Sequence, residues 1–127
     1  MPLTPADILP IDADALLLGR VWSPAAEGPA VVRVDGGRLI DVSRAFPTVR
    51  DLCEADDPAA ALRAATGEDL GALSDILANT DPDARDPSRP WLLSPIDLQA
   101  VKAAGVTFVT SMLERVIEER ARGDLSA

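Results

Sequence analysis

A chain with no histidine and one cysteine has few groups that can move protons or attack a substrate: carboxylates, hydroxyls and a single lysine, Lys102. Ser-His-Asp and Cys-His catalysis, histidine metal ligation and the usual neutral-pH proton shuttle are excluded from within the chain. So are an internal disulfide and a multi-cysteine zinc site, because Cys53 is alone. The pair that stands out is Ser111 and Glu114 in "GVTFVTSMLERVIEER", where β-branched and aromatic residues give way to a charged run. Two readings are open. Ser-x-x-Glu ahead of an apolar run is a capping box, the hydroxyl accepting from the backbone N–H three residues on and the carboxylate reaching back. The same side chains, beside a site built by other elements, are a hydrogen-bonding hydroxyl and a general acid or base.

The elements that would position this pair are legible around it. From Ser111 onward Met112, Leu113, Val116 and Ile117 recur at helical spacing, and Gly123 supplies a stop. Arg115 with Glu119 and Glu118 with Arg122 form i, i+4 pairs along the charged side. "GVTFV" reads as the strand entering that helix, "PIDLQAVKAAG" as a turn or short helix before it, and Trp91–Leu93 as a short strand. Upstream, "NTDPDARDPSRP" (79–90) has no apolar residue larger than alanine and reads as a linker.

Before that linker, residues 15–78 carry the pattern of a small β-rich domain with covering helices. "AVVRVDGGRLIDVS" places β-branched residues on both sides of Asp35-Gly36-Gly37, whose glycines suit a tight hairpin. With the preceding "ALLLGRVW" this predicts an antiparallel sheet of about three strands. "PTVRDLCEA" predicts a helix capped by Thr48, with Val49, Leu52 and Cys53 facing a core. In "PAAALRAATGEDLGALSDILANT" the spacing of Leu70, Leu73, Ile76 and Leu77 predicts a further helix. Residues 1–14, with three prolines and three aspartates and no periodicity, read as a flexible arm.

The chain has 21 acidic and 12 basic residues, a net charge of -9, with the excess concentrated before Trp91. A surface of that sign repels phosphate backbones and anionic lipid, so neither nucleic acid nor a membrane is an expected partner. "MPLTPADILPIDADALLLGR" has no basic leader, and its apolar run is too short to span a bilayer, which predicts a cytoplasmic protein.

"WLLSPIDLQAVKAAGVTFVTSMLERVIEERARGD" resembles the segment that opens the catalytic domain in the fumarylacetoacetate hydrolase family, especially its branch of 2-keto-3-deoxy sugar acid (arabinonate/xylonate) dehydratases. "LLLGRVW" and "AVVRVDGGRLIDVSRAFPTVRDL" are similar, more loosely, to that branch's N-terminal domain. The resemblance implies an α+β chain: a small antiparallel β-rich N-terminal domain with covering helices, then (91–127) the opening strand and amphipathic helix of a truncated catalytic β-roll domain. It also implies a divalent metal, usually Mg2+, a 2-oxo acid substrate and a homo-oligomer. The family's hydrolases carry Gly-x-Asn-Tyr on the strand and His-x-x-Glu on the helix. That pattern falls here on Gly105, Thr107 and Phe108, with Thr107 and Phe108 toward substrate, and on Ser111 and Glu114 as the catalytic pair.

Serine at the histidine position cannot act as that base, which argues against C–C bond hydrolysis by water and favours a lyase. Dehydration needs a proton taken from the carbon beside the ketone and a proton delivered to the departing hydroxyl. Glu114 would serve the hydroxyl as acid or base, with Ser111 orienting substrate or water. The family's metal ligands, a Glu-x-Glu pair and a later aspartate, belong to downstream strands, and no Glu-x-Glu occurs here. The expectation is therefore the inactive front portion of an enzyme, binding no metal by itself. The rival expectation is a non-catalytic β-rich interaction or dimerisation module using Met112, Leu113, Val116 and Ile117. Lys102 reads as a solvated lysine, Trp22 and Trp91 as core or interface anchors, and Arg122-Gly123-Asp124 as a helix end.

Overall fold

The computed structural model describes residues 3–105 and, beyond them, Leu113, Val116 and Ile117. An open five-stranded antiparallel sheet with a few short helices makes a small α+β fold. Strands β1 (Leu18–Ser23), β2 (Gly28–Asp35), β3 (Arg38–Asp41), β4 (Glu68–Ala72) and β5 (Trp91–Leu93) lie in the order β4-β3-β2-β1-β5. The expected β2–β3 hairpin is present. Asp35 pairs with Arg38 across a two-residue loop, Gly36 and Gly37 at φ 54° and 81°, the left-handed region that favours glycine.

Central strand β2 is buried on both faces, which is why "AVV" shows no polar alternation. Ala30 and Val32 pack with Val21, Leu39, Leu73 and Ile76 on one side. Val31 packs with Val42, Val49, Leu52 and Leu62 on the other. The first side is covered by α4 (Leu73–Ala78), with Leu9 after α1 (Pro5–Ile8) adding to it. The second is covered by α2 (Val49–Cys53) and α3 (Pro58–Ala64). Thr48 caps α2 as expected, its side chain accepting from Asp51 N–H at 3.1 Å. Asp57 does the same for α3 through Ala60 N–H, and Pro58 occupies the first helical position.

Several expectations need correction. The sheet has five strands, not about three, because Glu68–Ala72 is strand rather than helix and Trp91–Leu93 joins the same sheet. Leu70 ends up beside the core from a strand, while Leu73, Ile76 and Leu77 are helical. Backbone contact decides this: a Cβ on Gly67 would lie 1.5 Å from the Asp41 carbonyl oxygen, so only glycine lets the chain enter β4 so close to β3. Cys53 is exposed, not core. Val49 and Leu52 alone fill the inward side of so short a helix, and the cysteine one position further turns out to solvent.

Residues 5–8 form a helical turn in which Thr4 N–H donates to the Asp7 carboxylate at 2.7 Å, so the first fourteen residues are not wholly an arm without structure. Trp91–Leu93, a strand as expected, is the edge strand of this same sheet, pairing with β1 as Trp22↔Trp91, Val21↔Leu92 and Arg20↔Leu93. No helix among the described residues is long and apolar enough to cross a membrane.

Candidate functional site

Thr107, Phe108, Ser111 and Glu114 lie outside the described residues. In the helix expected there, Leu113, Val116 and Ile117 are described, and they are helical and exposed, at 57%, 44% and 63%. These are the apolar positions that the sequence pattern assigns to one side of the helix. Three polar constellations stand out among the described residues.

The first joins β1, α2 and the segment after β5. The Asp97 carboxylate accepts from Val49 N–H at 2.7 Å and Arg50 N–H at 3.1 Å, the orphan donors at the start of α2, and from Leu98 N–H at 2.6 Å. Arg20 Nε stands 3.6 Å from the same carboxylate, and the arginine also donates to the carbonyls of Ser94 (3.2 Å) and Ile96 (3.0 Å). Both side chains are largely buried, 16% and 10% exposed. Burial pushes the Asp97 carboxyl up, but the three backbone donors and the Arg20 charge together hold it below the usual carboxylate range.

The second fixes the 79–90 segment. Asn79, 6% exposed, donates from Nδ2 to the carbonyls of Asp86 (3.0 Å), Arg89 (3.1 Å) and Pro90 (3.0 Å) and accepts from Asp86 N–H at 2.7 Å. Thr80 Oγ1 accepts from Leu92 N–H at 3.0 Å, tying the segment to β5. Trp22 and Trp91 stack with ring centroids 5.9 Å apart, and the Arg85 guanidinium lies 4.5 Å from the Trp91 centroid. The tryptophans thus anchor a strand pair, as their residue type suggests.

The third is an open cleft of about 370 Å³ lined by Asp41, Ser43, Arg44, Thr66, Gly67 and Glu68. One of its two hydroxyls is committed to structure, since Ser43 Oγ accepts from Val31 N–H at 2.8 Å. Asp41 and Glu68 stand opposite one another in the β3–β4 register, with Asp41 occupied by Ser43 N–H at 2.9 Å. Cys53 Sγ is 3.9 Å from Gln99 Nε2, and Arg50 beside it pairs with Glu54 at 3.2 Å.

Chemically, these groups position backbone. Among the described residues no cluster of three or more cysteine, aspartate or glutamate side chains could hold a metal ion. Sequence reasoning missed Asp97, Arg20 and Asn79, whose partners are mostly remote or backbone. The available signal was Asp97 itself, a helix-cap residue type ahead of "LQAVKAAG", but the helix it caps is α2, far away in sequence. Comparison with family models, with curated proteins and with solved structures returns no match.

Proposed function

We propose that this chain is the N-terminal portion of a fumarylacetoacetate hydrolase family enzyme, a lyase that dehydrates 2-keto-3-deoxy sugar acids in the cytoplasm as a homo-oligomer. The observation that carries the reading is the exposure of Leu113, Val116 and Ile117 beyond a sheet whose own faces are already covered by α1, α2, α3 and α4. An apolar helix side of that kind needs a partner, and a following catalytic β-roll would supply one. The described residues offer magnesium no ligand set. The chemistry assigned to this chain is therefore confined to its own groups: Glu114 exchanging a proton with the substrate hydroxyl, Ser111 orienting it, and Thr107 and Phe108 lining the approach.

The test is an extended reading frame assayed for magnesium-dependent dehydration of 2-keto-3-deoxy pentonates. Glu114→Gln, with unchanged fold, should abolish turnover; unchanged turnover removes Glu114 from the mechanism. The same exposed positions support a second reading, a dimerisation module. A stable dimer of the 127-residue chain that Val116→Asp converts to monomer would favour that reading instead.

A further inference from the structure

We propose that Arg20 and Asp97 form a latch that makes residues 94–99 a strap of the sheet domain, so that rigid attachment to the sheet ends at Gln99 rather than at the proline-rich segment before β5. Three elements distant in sequence meet in the latch. Arg20 of β1 holds the carbonyls of Ser94 and Ile96, and Asp97 holds the first two N–H groups of α2. The strap is further tied within itself and to α2. Asp97 N–H donates to Gln99 Oε1 at 2.7 Å, and the Gln99 amide reaches Cys53 Sγ at 3.9 Å. Every residue from 100 to 105 is exposed.

The latch changes where motion is expected. The proline-rich 79–90 segment has the composition of a joint, yet Asn79 and Thr80 tie it down and β5 follows it directly into the sheet. Rigid attachment therefore continues through Gln99. Opening the strap requires breaking the charge-assisted hydrogen bonds at Val49 and Arg50 together, because one carboxylate serves both, along with those from Arg20 to Ser94 and Ile96.

Hydrogen exchange on the 127-residue chain tests the proposal. Asp97→Ala should accelerate the Val49, Arg50 and Leu98 amides roughly ten- to hundredfold. The Asp51 amide, held by Thr48, and the Val32 amide in the sheet should keep their rates. Arg20→Gln, a second route should Asp97→Ala fail to fold, should accelerate Val49 and Arg50 while sparing Val32. Three results would each overturn the latch: unchanged Val49 and Arg50 exchange, equal acceleration of Asp51 and Val32, or protection across 100–105 matching that of Leu98 in the unaltered chain.

Discussion

Replacing Asn79 with alanine removes one buried amide on which the whole 86–90 turn depends. Its Nδ2 carries only two hydrogens, so the three carbonyls at 3.0–3.1 Å share two donors, and Oδ1 adds one accepted bond from Asp86 N–H. Three effective bonds at about 1 kcal/mol net each give a loss of about 3 kcal/mol. Water reaching the exposed turn lowers this toward about 2, and a cavity at the buried site raises it toward about 4. Urea unfolding followed by tryptophan fluorescence is a direct assay, because the stacked Trp22 and Trp91 are the protein's two tryptophans. Asn79→Asp supplies the sharper comparison. It keeps an acceptor for Asp86 N–H but turns an unprotonated oxygen toward three carbonyl oxygens, so at pH 7 it should destabilise more than alanine. A loss below about 0.5 kcal/mol for Asn79→Ala, or aspartate tolerated better than alanine, would refute the reasoning.

Gly67→Ala sets a Cβ 1.5 Å from the Asp41 carbonyl oxygen, a backbone clash that no rotamer relieves. It should cost about 3 kcal/mol or more by thermal unfolding, whereas wild-type stability would show that β4 can shift away from β3. Acid should weaken the fold from one direction only. Asp35 is held low by its hydrogen bond from Arg33, Asp69 by that from Arg38, and Asp97 despite its burial by Leu98, Val49 and Arg50 N–H. Folded-state values lie below the unfolded ones, so this stability is fully present above about pH 4 and is lost as pH falls through the depressed folded values. Urea midpoints that stay level from pH 4 to about pH 2.5 would contradict it.

Local rules carried the sequence reading as far as local physics reaches. The β2–β3 hairpin was legible because Gly36 and Gly37 need φ angles that other residues avoid, and the α2 cap because Thr48 sits before an apolar pair. Glu68–Ala72 was misread because Leu70 happens to fall at helical spacing from Leu73 and Ile76. Periodicity cannot register that Gly67 must pass against Asp41 or that Gly71 takes φ 121°. Cys53 was misplaced by one position of helix rotation at the end of a five-residue helix. Trp91–Leu93 was visible as a strand but not as β1's neighbour, since pairing across the intervening chain leaves no mark in either segment. Of the proposed site, the helical spacing of Leu113, Val116 and Ile117 was legible, while the strand expected over "GVTFV" and the residues assigned to chemistry lie outside the described residues. Asp97 shows the same limit in reverse: its role is plain in space and silent in sequence, because it caps a helix to which it is not adjacent.

The strand order also has a bearing on how the chain is made. β1 sits between β2 and β5, so one of its sides is closed early by a hairpin while the other awaits a strand about seventy residues later, a loop whose closure is entropically slow. At ordinary synthesis rates that gap corresponds to several seconds in which Leu18–Ser23 presents an unpaired edge and the Trp22 ring lacks its stacking partner. Arg20 lies in the middle of that edge, and a charge there opposes premature pairing with another nascent chain. The arginine thus acts twice in the protein's history, as a guard while the edge is open and as an anchor once Trp91–Leu93 has arrived.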